Sequence, residues 1–386
     1  MGDKKNTVII MVSVFVATIG YGLSFPFFAI LLEIKQFSST AIGLNASMPA
    51  LGWITASLLL PRLQALYSTR YLILTFLIIS VVGLVGFTLF SDFTVWLGCR
   101  FLFGGGLGMF FRLIEYRLNS TVTSEQRGRV LGLYLTVFLA GIVVGSILQP
   151  LFSIDSLAPF VFILICLISS GLIIYRVRVD NTRALDTGSQ LYFSLRLIKT
   201  LYSAVPIALV GIFVYGLTES VSLYSMPIYA LKVGLDQTTA AYTLTAFVLG
   251  SILFAYPLGL LSDKVGRYPT LLGCVFVAIC CFALVPNFVS HPALLMMSLL
   301  ITGGCLGGIY FLCLSIIGDK YDPSNLVYAN AIFGFVYAAG SLIGPIFHGV
   351  AMQAYEPHGL IFSVLLIFIL FLLFSCYSLL RTNVQQ

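Results

Sequence analysis

Charge is what this chain has least of. Its 386 residues include 20 Lys and Arg and 14 Asp and Glu, so only 9% are charged, and His occurs three times. Soluble domains carry about 25% charged residues, and a chain this poor in charge could not cover a water-facing surface. Soluble enzymes, disordered segments and disulfide-stapled modules are thereby excluded. Also missing are the G-x-x-x-x-G-K-[ST] loop of a nucleotide-driven pump, the H-E-x-x-H of a zinc protease and the G-x-S-x-G of a serine hydrolase. An intramembrane enzyme therefore has no motif to rest on. The eight cysteines contain no C-x-x-C pair and all fall inside apolar runs, which argues against a metal site or a disulfide frame. No cofactor is expected.

What is abundant is apolar: 59% of the residues are hydrophobic. Runs of about 20 apolar residues read as membrane-spanning helices, because in hydrocarbon each backbone group must be satisfied within its own segment. Twelve such runs fall at 7–32, 41–60, 71–91, 93–117, 130–152, 156–177, 203–231, 237–260, 269–288, 292–318, 328–354 and 358–380. The first is too long for the apolar core of a signal peptide and is read as a helix. An all-α polytopic membrane protein is the fold class predicted.

Lys and Arg in short loops set orientation. Sixteen fall on the side of the N-terminus and two, Lys35 and Lys232, on the other; Arg100 and Arg112 lie within the fourth helix. That imbalance predicts cytoplasmic N- and C-termini, and it accounts for the net charge of +6 without nucleic acid.

The longest polar stretch, 178–200, divides the chain into six helices over 1–177 and six over 201–386. The halves echo one another, as the halves of a duplicated chain do. Tyr21-Gly22-Leu23-Ser24 returns as Tyr215-Gly216-Leu217-Thr218 at an offset of 194, and Arg70-Tyr71 returns as Arg267-Tyr268 at 197. The cluster Gly104-Gly105 with Leu107-Gly108 returns as Gly303-Gly304 with Leu306-Gly307 at 199, and Gly145-Ser146 as Gly340-Ser341 at 195.

Between helices eight and nine, Gly259-Leu260-Leu261-Ser262-Asp263-Lys264-Val265-Gly266-Arg267 resembles the G-x-L-[SA]-D-[RK]-x-G-[RK] loop of the major facilitator superfamily. Arg100-x-x-x-Gly104-x-Gly106-x-Gly108 and Gln126-Arg127-Gly128-Arg129 resemble two further motifs of that family. Ile114 to Asn119, Glu219 with Met226 to Tyr229, and Gly340 to Pro345 resemble its YcaD-type branch. Two departures stand out. The loop after helix two has Leu66 where the repeat calls for the Asp, and Ser146 follows Gly145 where the drug-antiporter motif has Pro.

The resemblance implies two six-helix bundles with helices one, four, seven and ten lining a central cavity. It implies a monomeric secondary transporter in the inner (plasma) membrane, moving a small solute by alternating access. Proton coupling is the expected drive. A passive facilitator of the same fold, or a sensor on a transporter scaffold, are the alternatives.

Ionisable groups inside membrane helices are costly and mark function by default. Glu219 lies about sixteen residues, or roughly 24 Å, into helix seven, among Tyr215, Thr218, Ser222 and Tyr224. A carboxylate desolvated there either exchanges protons near neutral pH or contacts the solute; the alternative is a structural partner for an arginine. Arg100 either pairs with Glu219, binds an anionic group, or caps carbonyls. Arg112 and Glu115, three apart on one face, form a local ion pair or inner gate, with Glu115 as an independent proton site the lesser option.

Asp263, Lys264 and Arg267, with Gly259 and Gly266, are expected to tie helix ends together as a gate. Gly104, Gly108, Gly340 and Gly344 are expected at close helix contacts, and Gly344-Pro345 to bend helix eleven. Tyr21, Pro26, Asn45 and Trp53 are further cavity candidates, and His348 is a packing residue or a titrating one. Among 20 tyrosines and 32 phenylalanines, core or lipid contact is the default.

Overall fold

The structure, a computed structural model, describes residues 2–121, 124–177, 201–321 and 323–384, with side chains over 6–118, 130–177, 201–321 and 329–381. The expected linker 178–200 and the side chains of Gln126, Arg127 and Arg129 lie outside these. Among the described residues, twelve helices are long and apolar enough to cross a membrane.

In the first half these are α1 (Gly2–Ile34), α2 (Ser39–Leu66), α3 (Thr69–Leu89), α4 (Phe93–Thr121), α5 (Ser124–Leu148) and α6 (Ala158–Tyr175). The second half has α7 (Pro206–Lys232), α8 (Gln237–Val265), α9 (Arg267–Phe288), α10 (Pro292–Lys320), α11 (Pro323–Ala354) and α12 (Gly359–Val384). Prolines 26, 49, 61, 257, 286 and 345 sit inside these helices, a position tolerated where neighbours re-satisfy the freed carbonyls. Helix α2 thus runs past Pro61 to Leu66, and α11 is continuous through Pro345.

Two compact units emerge: Met1–Lys35 with Leu44–Gly188, and Gln36–Gly43 with Ser189–Gln386. Within the first, α1 packs on α5 and α6, and α3 on α4 and α6; within the second, α7 packs on α11 and α12, and α9 on α10 and α12. The pairings repeat helix for helix. So do the contact atoms. A methyl placed on Gly145 would lie 2.1 Å from the Ile19 carbonyl and 2.6 Å from the Leu23 nitrogen; on Gly340 it would lie 2.4 Å from the Phe213 carbonyl and 3.0 Å from the Leu217 nitrogen. Gly52 against Gly105, and Gly250 against Gly304, bring α2 onto α4 and α8 onto α10 in the same manner.

Burial sorts the helices into inner and outer. The most apolar windows of α7, α4, α1 and α10 are 72%, 67%, 61% and 61% buried, and no other span exceeds 44%. Arg100 and Glu219 sit on two of these four helices, buried and partly buried respectively, and protein rather than lipid is where a membrane helix can hold such groups.

Candidate functional site: a carboxylate held by tyrosines

Helix α7 does not wind uniformly. After Glu219 comes a π-helical turn, Val221–Ser225, before α-helix resumes at Met226–Lys232. Pro227 has no N–H, so one carbonyl of the preceding turn loses its usual donor, and a widened turn absorbs the mismatch. Such turns are frequent at functional sites. Hydroxyls in and before this turn bond other carbonyls of the helix: Ser222 donates to the Glu219 carbonyl at 2.6 Å, Ser220 to that of Leu217 at 2.8 Å, and Thr218 to that of Val214 at 2.8 Å.

The Glu219 carboxylate receives two phenols. Tyr215, one turn back on α7, donates to Oε1 at 3.0 Å, and Tyr337 of α11 donates to Oε2 at 2.5 Å. A third tyrosine, Tyr310 of α10, packs 5.2 Å from the Tyr215 ring and stands nearly perpendicular to Tyr337, at 82° and 6.3 Å. Phe333 closes the far side of Tyr310 at 5.4 Å. Tyr215, Glu219, Tyr310 and Tyr337 are each partly exposed, whereas Thr218 and Val221 between them are buried. The acid and its phenols thus form one polar patch shared by α7, α10 and α11.

The first unit builds the same framework without the acid. Tyr21, Phe25, Phe111, Phe138 and Ile142 stand at the offsets of Tyr215, Glu219, Tyr310, Phe333 and Tyr337. Phe111 meets Phe138 edge-on at 5.0 Å and 83°, as Tyr310 meets Phe333 at 5.4 Å and 71°. Tyr21 lies 5.8 Å from Phe111 and 4.5 Å from Phe25, the residue in Glu219's place.

Arg100 is 1% exposed, its guanidinium stacked 4.4 Å from the Phe28 ring and 5.8 Å from that of Phe103. Planar, weakly hydrated guanidinium suits such aromatic faces. Arg112 and Glu115 are exposed on α4. Contrary to the expected local pair, no ion pair joins them; at an exposed helix face such attraction barely offsets side-chain ordering.

At the α8–α9 turn, Arg267 donates to Asp263 and to the Ser262 hydroxyl, both at 2.6 Å, and to Asp319 at the end of α10 at 3.3 Å. One guanidinium thus joins three helix ends. Gly266 has φ +107°, which a side chain would strain, while a methyl on Gly259 would meet nothing within 4 Å, so an unusual backbone angle calls for glycine at 266 and nothing nearby does at 259. Lys264 is exposed and outside the network. In the first unit, with Leu66 in the place of the acid, Arg70 donates instead to the Tyr175 carbonyl at 2.8 Å and stacks on that ring at 4.5 Å.

Other candidates lie at close helix contacts or are buried. Gly104 abuts Pro49, Gly108 abuts Trp53, Gly340 abuts Gly216, and Gly344 abuts the Leu217 carbonyl. His348 is fully buried, with Nδ1 2.7 Å from the Ser363 hydroxyl, and Asn45 is buried. An open cleft of about 390 Å³ between α2, α3 and α4 is overwhelmingly apolar, lined by residues such as Ala56, Leu59, Leu63 and Ile79.

Beyond the geometry, the family model described as Major Facilitator Superfamily matches residues 10–210 and 208–385. The chain belongs to the major facilitator superfamily. As a member it is a multi-pass membrane protein of a transporter family, and the proteins it resembles are transporters rather than enzymes. It is 28% identical over 360 residues to the uncharacterized MFS-type transporter YfkF of Bacillus subtilis, covering 93% of this chain and 91% of that one. It is 29% identical over 300 residues to the uncharacterized MFS-type transporter YcaD of Escherichia coli, 76% of each chain. Among solved structures, the nucleoside transporter NupG superposes with a TM-score of 0.78 at 12% identity over 96% of both chains. A D-xylose-proton symporter does so at 0.76 and 14%, again over 96% of both. These two likenesses show the fold alone.

Two parts of the site escape sequence reading. Tyr310 and Tyr337 join Glu219 from helices more than 90 residues away, and no local spacing marks them; the repeat offsets to Phe111 and Ile142 were the available signal. Asp319 completes the Arg267 network, and its signal was an acid in the last turn of a helix, where the dipole disfavours one.

Proposed function

We propose that this superfamily member is a secondary active transporter that moves a small solute by alternating access, with a proton carried by Glu219. It works as a monomer in the plasma (inner) membrane, both termini cytoplasmic, as the excess of Lys and Arg on one side of the helices supports. The observation that carries the reading is the Glu219 carboxylate, on the most buried helix and held, among the described residues of its unit, by two neutral phenols.

A carboxylate there changes charge by one on taking a proton, and the phenol hydroxyls can donate to the anion or rotate to accept from the acid. The neighbouring titratable groups on packed helices are Tyr215, Tyr310 and Tyr337. The proton adds a driving force of about 2.3 kcal/mol per 100 mV of membrane potential. A D-xylose-proton symporter of the same fold supports the compatibility of this architecture with proton coupling.

The test is a pH step applied to the protein in liposomes adsorbed on a solid support. Wild type gives a transient proton-binding current that Glu219→Gln removes while the melting temperature stays within a few degrees. A current unchanged in the variant takes Glu219 out of the mechanism, and none in wild type favours a passive facilitator.

A further inference from the structure

We propose that Glu219, Tyr215, Tyr310 and Tyr337 form the recognition site for an organic cation, a protonated amine carried on an apolar body. The proposal rests on the transporter reading above and adds its substrate class.

Charge comes first. The two partners of Glu219 within its unit are uncharged phenols. The basic side chains described in that unit are engaged or remote: Lys232 pairs with Glu356, Arg267 with Asp263 and Asp319, and Lys264, Lys320 and Arg381 stand in the last turns of α8, α10 and α12. The site therefore offers an anion to its ligand. Capacity comes second. An ionised carboxylate accepts at about four lone-pair positions, and the tyrosines use two, leaving room for the N–H groups of an ammonium.

Ring electrostatics add to both. The faces of aromatic rings are negative and attract cations within about 6 Å. Tyr215 and Tyr337, which hold the acid, are stacked at 5.8 Å and 29°, and Tyr310 packs against both, tilted at 5.2 Å and nearly perpendicular at 6.3 Å, so a ring cluster adjoins the acid. All four residues are partly exposed, so a solute can reach them. An anion would meet the like charge of the carboxylate. The first unit, with Phe25 in the acid's place, offers rings alone.

The test holds one ring constant and varies charge. Phenethylammonium, phenethyl alcohol and phenylacetate are each added to the detergent-purified protein at pH 7, with thermal unfolding and calorimetry as readouts. At about 10 mM, ten times a weak Kd of about 1 mM, the ammonium alone should stabilise wild type. Glu219→Gln should weaken that binding at least about tenfold. Tyr310→Leu, which leaves the carboxylate and both its hydrogen bonds in place, should weaken it severalfold and guards against a misfolded first variant. The proposal is overturned if the alcohol or phenylacetate stabilises as well as the ammonium, if no compound does, or if both variants bind the ammonium like wild type. A pH-step current without ammonium binding would sink the substrate class alone. Ammonium binding without a current would sink the proton coupling and leave the cation site standing.

Discussion

A methyl group at Gly216 should disturb both the packing of the second unit and the chemistry of its acid. A Cβ there would lie 2.4 Å from the Tyr337 carbonyl oxygen, 3.0 Å from the Ser341 nitrogen and 3.1 Å from the Gly340 Cα. All three are backbone atoms, so no rotamer can relieve the clash. Restoring an ordinary carbon–oxygen contact requires α7 and α11 to part by about 1 Å, and forced separations of this kind cost about 1–3 kcal/mol. The gain in helix propensity returns roughly 0.5–1 kcal/mol. The same displacement acts on Tyr337 itself: its bond to Glu219, now 2.5 Å, would stretch to about 3.5 Å, where a hydrogen bond is largely lost. Gly216→Ala should therefore melt below wild type and show an altered pH-step current. Gly273→Ala is the control, since a methyl on Gly273 meets nothing within 4 Å, and it should melt at or above wild type. If Gly216→Ala is as stable as Gly273→Ala, the contact between α7 and α11 is not the tight one described.

Other expectations are simpler. At the α8–α9 turn, Gly266→Ala should cost more than Arg267→Gln, because a side chain at φ +107° costs about 1–2 kcal/mol whereas exposed ion pairs contribute about 0–1 kcal/mol each; thermal unfolding giving the reverse order would make the charges the main tie. Asp236 caps α8 by accepting from the Thr238 and Thr239 amides at 3.1 and 3.3 Å, and Asp236→Ala should lower stability by about 1 kcal/mol. The Thr239 hydroxyl and amide bonds hold the Asp236 carboxyl below its ordinary 3.8. Its contribution is therefore full above the unfolded value and fades as pH falls through the folded one. Melting curves of wild type and Asp236→Asn should converge on acidification below about pH 4, and a gap that widens would contradict the cap. Phe28→Ala should destabilise the first unit by about 3–5 kcal/mol, since the ring is 1% exposed and backs the Arg100 guanidinium; unfolding at the wild-type temperature would show that this stack carries little.

Twelve helices were legible because lipid demands one long apolar run per crossing, a signal that no single residue can hide. Helix ends were less so: α2 continues beyond the exposed Pro61 to Leu66, and α11 starts at Pro323, a first helical position where a missing N–H costs nothing. Glu219 was legible because an acid inside an apolar run is expensive. Its tyrosine partners were not, because hydrogen bonds between α7 and α11 depend on which faces meet, a property of packing rather than composition. The π-turn left only Pro227 as a trace. The Arg112–Glu115 pair shows the converse failure, for spacing put the two on one face but could not report how weakly exposed charges attract.

The apolar counterpart of the acid site lets the two halves serve as reference and working electrodes of one cell. Tyr21, Phe25, Phe111 and Phe138 feel the same detergent, temperature and lateral pressure as Tyr215, Glu219, Tyr310 and Phe333, yet contain no carboxylate. A ring signal that moves in both sets reports the shared scaffold, and one that moves only around Glu219 reports charge. Each molecule thus carries its own baseline at one-to-one stoichiometry, free of the batch differences that separate a mutant from its parent.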